Sequence, residues 1–286
     1  MRNSGSAKIK AWAVLASLLA SASCVIAAGR ALTSSFLTAP LPPEELHLAR
    51  HGGDFVINGP TFSYRVQRQS GAITGIRVVR GEREVISSSD PGGIIIDGRP
   101  LCARQNVEWV SSNAGKDKIV LQAKGTFEND QGRPLNFTVE STFYNDGVVV
   151  TQVKLLPRRD FEVRQAVAWQ IAAQGAFASY LHKRRDEDGS QAVRGKLSAS
   201  GAVRFSTLTS CLGVVSPTAA LAIFTDSGAA HVSRAGADTA RAEVTPHGVL
   251  LSQYIAQIAA GDPPLVLKAG EEFSCLLYTS PSPRDS

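Results

Sequence analysis

The sequence predicts an all-β protein, built as a large antiparallel β-sandwich. After Asp54, apolar and polar residues alternate with a period of two, and short turns separate the alternating stretches. The Asn145-Asp146-Gly147 turn lies between two such stretches and indicates a β-hairpin. No stretch after Asp54 keeps a helical period over three turns, and no repeat of fixed length indicates a propeller. Roughly fifteen strands joined by short turns favour two broad sheets over a small immunoglobulin-like module.

Residues 1–28 are typical of a signal peptide. Arg2, Lys8 and Lys10 give a positive start, Ala11 to Ala28 is uncharged, and small residues suited to cleavage follow the apolar part. We therefore expect a secreted or periplasmic bacterial protein. An uncleaved membrane anchor is the main alternative, since the run approaches the ~18 residues that a span needs. A lipoprotein attached through Cys24 is a lesser one.

Residues 29–54 are predicted to be a linker with one short helix. Leu41-Pro42-Pro43-Glu44-Glu45 has the proline and the acids of a helix start, and Gly52-Gly53 ends the segment. The predicted helix runs through Leu46 and His51. His47 and His51 are four residues apart, a spacing that can bind metal, but no third ligand lies nearby, so a solvated face is favoured and no metal site is assigned.

Residues 55–274 are predicted to form the sandwich domain. The alternating patterns predict strands at Phe62–Val66, Gly71–Val78, Lys118–Lys124, Phe137–Phe143, Val148–Leu156, Phe161–Ile171, Val203–Thr207, Leu212–Val215, Ala219–Thr225, Ala240–Val244 and Val249–Gln257. Within the longest of these, Val163 and Val167 are expected to face inward. Further strands are expected at 264–267 and 272–274, on either side of the 268–271 turn.

Residues 275–286 are predicted to be an artefact tail. Cys275 to Asp285 resembles one translated frame of the transposase adapter used in sequencing libraries, and a codon run for that adapter gives the stretch residue by residue. The authentic sequence would then stop near Ser274, in mid-pattern. A natural Ser/Pro-rich end of similar composition is the alternative.

Charge and motifs exclude several function classes. The formal net charge is +5, but three of the positive charges lie in the leader, and no basic stripe with interleaved aromatic residues indicates nucleic-acid binding. The sequence has no Gly-x-Ser-x-Gly, His-Glu-x-x-His, phosphate-loop or dinucleotide motif, so no cofactor is expected. Of the four cysteines, Cys102 and Cys211 remain in the folded part. They are a possible disulfide, with two separate buried thiols slightly favoured.

One segment, Phe177 to Gly189, is a candidate for binding a sugar. The ring of Tyr180 can stack on a pyranose face, while His182 and Lys183 can hydrogen-bond to hydroxyl groups. A solvated hairpin loop with self-neutralising charges is the favoured alternative. The acids at 186–188 lack the twelve-residue loop of a calcium site.

Two tryptophans lie outside the leader. Trp109 is an even choice between sugar stacking and packing, and Trp169 is expected in the core because its neighbours are apolar. The acid residues are too scattered to nominate a catalytic pair, so we assign no catalytic residue.

A resemblance to a known family adds to these patterns. Phe62–Val66 followed by Ser70–Ile76 resembles the opening of galactose-mutarotase-like supersandwich domains, which stand at the N-terminus of many bacterial polysaccharide-degrading enzymes. Ser141–Pro157 and Ala219–Asp226 are similar to the same domains, and Leu267–Phe273 resembles the segment before the barrel in enzymes akin to glycoside hydrolase family 123.

The resemblance implies a polysaccharide or oligosaccharide partner, and a catalytic barrel downstream that this sequence lacks. True mutarotases use His and Glu inside the sandwich, and that pattern has no residue-by-residue match here. The expected function is a non-catalytic, carbohydrate-associated domain of a truncated secreted glycoside hydrolase. The alternatives are a stand-alone carbohydrate-binding or structural envelope protein and, less favoured, a polysaccharide lyase or epimerase-like enzyme. A membrane is expected to be involved only through the leader.

Overall fold

The structure, a computed structural model, describes residues 45–283 apart from short gaps at 61, 69–70, 79–82, 88–92, 102–106, 114–115, 175–176, 187–188, 207–208, 218, 226–231 and 234–237. The described residues belong to one compact unit, 42–286. They contain no helix, and therefore none that could cross a bilayer. The predicted signal peptide and most of the predicted linker lie outside the described residues.

The described residues form 23 strands, more than the roughly fifteen predicted, because several strands have only two to five residues and show too little alternation to be recognised. In chain order they are β1 His47–His51, β2 Asp54–Asn58, β3 Phe62–Val66, β4 Ile73–Val78, β5 Arg83–Ser87, β6 Gly93–Ile96, β7 Arg99–Pro100, β8 Glu108–Asn113, β9 Lys118–Glu128, β10 Pro134–Tyr144, β11 Val149–Pro157, β12 Phe161–Val163, β13 Ala166–Gln174, β14 Ser179–Asp186, β15 Gly189–Lys196, β16 Gly201–Phe205, β17 Thr209–Val215, β18 Ala219–Thr225, β19 Val232–Ser233, β20 Ala240–Thr245, β21 Gly248–Gln257, β22 Leu265–Leu267 and β23 Phe273–Pro283.

Strands β1 to β5 form a five-stranded antiparallel sheet in sequence order. The helix predicted through Leu46 and His51 is wrong over its second half, because His47–His51 is strand β1 and pairs with β2. Gly52 and Gly53 have φ values of 59° and 94°, which suits a two-residue hairpin loop as well as a helix end. The glycine pair therefore does end an element, as predicted, but that element is a strand and not a helix.

The largest sheet has nine strands in the order β15-β14-β17-β18-β23-β11-β10-β9-β8. The predicted hairpin joins β10 to β11, with Phe143 opposite Val149. In its turn, the Asp146 carboxylate accepts a hydrogen bond from the N–H of Val148 at 3.0 Å, and Gly147 has a φ of 86°. The Asp146-Gly147 pair therefore forms the hairpin turn that the sequence predicts.

A seven-stranded sheet has the order β16-β20-β21-β13-β6-β7, with β19 pairing parallel to β21 off this path, and β12 pairs separately with β22. The prediction of one strand over Phe161–Ile171 is wrong, because the chain turns a corner between β12 and β13. At that corner the carboxylate of Asp97, in the β6–β7 turn, accepts hydrogen bonds from the N–H groups of Arg164, Gln165 and Ala166 at 3.1, 2.7 and 3.2 Å. Contacts from a distant turn therefore set a break that local sequence does not show.

The nine-stranded sheet packs against the seven-stranded and the five-stranded sheets. β17 and β18 contact β20 and β21 of the seven-stranded sheet, while β18 and β23 contact β5 and β4 of the five-stranded sheet. The core between the layers includes Val163 and Val167, each 0% exposed, and Trp169, which confirms their predicted inward positions. The all-β antiparallel sandwich that the sequence predicted is the observed fold.

Residues 275–283, which carry the adapter likeness, lie within β23. This strand pairs with β11 on one side and β18 on the other, in the middle of the nine-stranded sheet. The side chains of Cys275, Leu277 and Thr279 are buried, and the ring of Tyr278 stacks on Phe224 with centroids 4.7 Å apart. The strands therefore extend beyond the predicted 55–274 boundaries at both ends, and the origin of the tail stays a prediction.

Candidate functional site

The outer face of the seven-stranded sheet carries a row of polar side chains that crosses four strands. The register places Arg204 on β16 opposite Arg241 on β20, Arg241 opposite Ser252 on β21, and Ser252 opposite Gln170 on β13. We call Arg204, Arg241, Ser252 and Gln170 the polar row. At about 4.8 Å between strands, the row is roughly 14 Å long.

The polar row faces away from the nine-stranded sheet because side chains alternate along each strand. On β13 the residues on either side of Gln170, Trp169 and Ile171, belong to the buried core. On β21 the core residue Leu251 and the fully buried Gln253 flank Ser252 in the same way. The same alternation that buries the apolar face therefore collects the polar row on the opposite face.

Hydrogen bonds and ion pairs hold the polar row in place. The amide nitrogen of Gln170 donates to the hydroxyl of Ser252 at 3.2 Å. The guanidinium of Arg241 lies 2.9 Å from the carboxylate of Glu243, and that of Arg204 lies 3.8 Å from Asp238. Two cations are thus balanced by two carboxylates, so the face is polar and close to neutral.

Arg241 has the most unusual environment in the polar row. Its side chain is only 27% exposed, and its Nε atom is buried without a hydrogen-bond partner. Beside it, Ser252 is 2% exposed. A buried guanidinium donor is costly to leave unpaired, so the middle of the polar row carries a polar atom whose burial is not compensated by a hydrogen bond.

The structure separates the residues predicted to bind a sugar. Tyr180 and His182 lie on the inner face of β14, and Lys183 faces the other way, beside Cys211 in the register. His182 is 4% exposed and stacks on Phe205 of β16 with ring centroids 4.1 Å apart. The segment is therefore a strand rather than the solvated loop that was favoured, and its histidine helps to join the two layers.

Tyr180 also has a packing role. Its ring lies edge-on to Phe205, with centroids 5.5 Å apart, and covers Gly195 of β15, its register partner. A Cβ atom at position 195 would come within 2.3 Å of the Tyr180 ring. The glycine thus makes room for an aromatic side chain that closes the edge of the sandwich.

Trp109 lies far from the other predicted binding residues. It is on β8, at the opposite edge of the nine-stranded sheet from β14, seven strand spacings or roughly 34 Å away. Its indole N–H donates to the carbonyl of Arg68 at 3.0 Å, and its ring lies 5.2 Å from that of Phe55. Trp109 therefore connects β8 to the five-stranded sheet, and the four predicted residues do not form one site.

Cys211 is a free thiol in the structure, and burial raises its pKa to about 12. Its predicted partner, Cys102, lies outside the described residues, so the disulfide stays a prediction. In the described part of the chain, no group of three or more His, Cys, Asp or Glu side chains is placed to hold a metal ion.

Comparison with known proteins gives the fold but no close relative. No family model matches the chain, and no curated protein matches its sequence. Among solved structures, galactose 1-epimerase from Lactobacillus acidophilus NCFM superposes with a TM-score of 0.55 at 7% identity, over 84% of this chain and 99% of that one. The fold is galactose mutarotase-like.

Two further structures share this mutarotase-like fold. A galactose mutarotase-like protein from Lactobacillus casei gives a TM-score of 0.54 at 10% identity, over 80% of this chain and 100% of that one. A TPR-domain containing protein from Parabacteroides distasonis gives 0.55 at 10% identity, over 80% of this chain. The present chain spans 47% of that TPR-domain protein, so the mutarotase-like sandwich is one part of it.

Sequence reasoning missed the polar row. Arg241 and Glu243 alternate with small residues in a strand that was predicted, and this marks them as outward-facing. Nothing local shows that Arg204, Ser252 and Gln170 lie beside them, because that depends on the pairing of strands distant in the chain. The signal that the sequence offers for the polar row is the alternation of polar and small or apolar residues along each strand.

Proposed function

We propose that the mutarotase-like sandwich binds a saccharide on the polar row, as a carbohydrate-associated domain that is not catalytic by itself. The observation that carries the proposal is the pair of guanidinium groups in this row, Arg204 with a side chain 63% exposed and Arg241 with a side chain 27% exposed, which are register partners on adjacent strands. Sugar hydroxyl oxygens would accept hydrogen bonds from these guanidinium groups.

The chemistry of the row suits an uncharged sugar. Guanidinium and amide groups donate and carboxylates accept, which matches the mixed needs of neighbouring sugar hydroxyls. Because Glu243 and Asp238 balance Arg241 and Arg204, an anionic group would meet no net positive charge.

We further propose that the domain belongs to a larger secreted protein, with a glycoside hydrolase as the parent. The structural likeness to about half of a TPR-domain protein supports a modular role for this fold. The glycoside hydrolase assignment rests on the resemblance of Leu267–Phe273, and secretion rests on the leader at residues 1–28. A catalytic barrel would then act on the bound polysaccharide.

Sugar epimerisation is the second candidate, because the likeness to galactose 1-epimerase covers nearly all of that enzyme. The reaction needs one group to remove a proton and another to return it. Glu243 is the carboxylate nearest to Arg241 and is partly exposed, but the described histidines lie elsewhere: His182 inside the sandwich, and His47, His51 and His247 at exposed positions. Binding without catalysis therefore has the stronger support.

The test compares glycan binding by the wild type, Arg241→Ala and Arg159→Ala, on a glycan array followed by calorimetry. Arg159 is an exposed arginine in the β11–β12 turn and is the matched control. Loss of charge-assisted hydrogen bonds should weaken binding about tenfold or more in Arg241→Ala and leave Arg159→Ala unchanged. Equal binding by both variants, or no glycan bound by the folded wild type, would refute the proposal.

Polarimetry of freshly dissolved α-D-galactose separates the two candidates. A binding domain leaves the rate of mutarotation at its uncatalysed value, whereas an epimerase raises it in proportion to enzyme concentration. Glu243→Gln should abolish any such acceleration if the carboxylate transfers the proton.

A further inference from the structure

Tyr254 lies beside the polar row on the outer face of the seven-stranded sheet. Its neighbours along β21, Gln253 and Ile255, are 0% and 1% exposed and point into the sandwich, where the amide nitrogen of Gln253 donates to the hydroxyl of Thr225 on β18 at 3.4 Å. Tyr254 therefore points outward, and it is half-buried there. It stands two residues from Ser252, so an aromatic side chain borders the row on the face that the proposed saccharide site uses.

The position of Tyr254 is within reach of Arg241. Arg241 pairs with Ser252 in the register, so Tyr254 is its diagonal neighbour across β20 and β21. Diagonal positions of an antiparallel pair lie about 7 to 8 Å apart, which is within reach of aromatic and long side chains. The N–H of Tyr254 also donates to the carbonyl of Thr239 at 2.9 Å, which fixes this part of β21 beside the chain that leads into β20. A ligand bound to Arg241 therefore lies next to the ring.

The residues next to Tyr254 on the same face are small or apolar. Its register partner on β13 is Ala168, which pairs in turn with Ile95 on β6. Both point outward because they alternate with the core residues Trp169 and Ile96, yet they are only 2% and 7% exposed. The face therefore has two bands that lie two residues apart, one of polar donors and acceptors and one that is apolar and carries an aromatic ring.

We propose that Tyr254 determines the specificity of the saccharide site and selects pyranose rings over acyclic polyols. The inference rests on the proposed function and names the class of ligand that the polar row holds. A pyranose presents a rigid face of C–H groups that stacks on an aromatic ring, while the hydroxyls at its rim reach the guanidinium groups of Arg204 and Arg241. An open-chain polyol offers the same kind of hydroxyls without that face, and it loses more conformational freedom on binding.

The experiment measures the affinity of the full chain for the methyl pyranosides of D-glucose, D-galactose and D-mannose and for the matching polyols glucitol, galactitol and mannitol, by ligand-observed NMR titration. The wild type should bind at least one pyranoside about tenfold more tightly than its polyol. Tyr254→Ala should lower the affinity for that pyranoside by about threefold to tenfold and leave the polyol affinity unchanged, because only the stacking is lost. Arg241→Ala should weaken the binding of both ligands alike, and the exposed control Arg159→Ala should weaken neither.

Two further variants, each first shown to be folded by circular dichroism, separate stacking from a loss of packing. Tyr254→Phe keeps the aromatic ring and should keep the preference for the pyranoside, whereas Tyr254→Leu keeps an apolar side chain without a flat ring and should lose it. Equal binding of pyranoside and polyol by the wild type, or a wild-type preference in Tyr254→Leu, overturns the inference and leaves the proposed function standing. If no pyranoside binds, the inference is overturned; if in addition no glycan binds on the array, the proposed function fails with it.

Discussion

Replacing Asp97 should show how strongly one carboxylate stabilises the corner between β12 and β13. One of its oxygens accepts hydrogen bonds from the N–H groups of Arg164, Gln165 and Ala166, and the other oxygen shares that of Arg164. Asp97 also has a φ of 49°, in the left-handed region that aspartate, asparagine and glycine tolerate best. Three replacements separate these two contributions.

At a half-exposed site each lost hydrogen bond costs about 1 kcal/mol, because water can replace the carboxylate. Asp97→Gly removes three such bonds and relieves the backbone, so we expect a loss of about 3 kcal/mol in the free energy of unfolding. Asp97→Ala removes the same three hydrogen bonds and should lose about 1 kcal/mol more, because alanine tolerates the left-handed backbone conformation less well than glycine. Asp97→Asn keeps one acceptor oxygen but turns a donor toward the N–H of Arg164, for a loss of about 1 kcal/mol.

The measurement is equilibrium unfolding in urea, followed by the fluorescence of the buried Trp169. Asp130→Ala is the control, since Asp130 is 93% exposed and forms only a surface ion pair with Arg99. It should change the free energy of unfolding by less than about 0.5 kcal/mol. The reasoning fails if Asp97→Gly and Asp97→Ala both fall within that same margin of the wild type.

Two further predictions concern ionisable groups. The N–H of Ala269 and the ammonium of Lys268 hold the pKa of the Asp160 carboxyl below its usual value. A carboxyl group with a depressed pKa stabilises the folded state at pH values above its unfolded-state pKa. In urea unfolding, the difference in the free energy of unfolding between the wild type and Asp160→Asn should therefore shrink as the pH falls below about 4. A difference that stays constant with pH would contradict this prediction. Burial raises the pKa of the Cys211 and Cys275 thiols to about 12. Iodoacetamide at pH 8 should therefore label both cysteines only after the protein is unfolded, as measured by peptide mass mapping. Labelling of either cysteine in the native protein would contradict this prediction.

Local signals predicted the parts of the fold that local interactions control. The β10–β11 hairpin was predictable because Asp146 and Gly147 stabilise its turn within four residues of chain. The class of fold followed from alternation, which reflects the burial of one face of each strand. The predicted helix ending at His51 failed because a glycine pair ends a helix as readily as it joins two strands.

The features of the fold and the site that the sequence did not predict depend on pairing between strands that are distant in the chain. The break after Val163 depends on Asp97, which is far away in the chain. The polar row depends on the register of four strands, and the separation of Trp109 from Tyr180 depends on the order of nine. Composition had correctly marked these residues as polar or aromatic, but it carries no information on which strand lies beside which.

The position of β23 has a consequence for the order of folding. Its partners are distant in sequence, as with Val149 and Thr279, and such non-local contacts slow folding because a long loop must close before they form. During synthesis β11 and β18 are complete well before β23 leaves the ribosome. For that interval each presents an unpaired edge that can pair with other chains, so the nascent protein is most prone to aggregation shortly before its last described strand arrives.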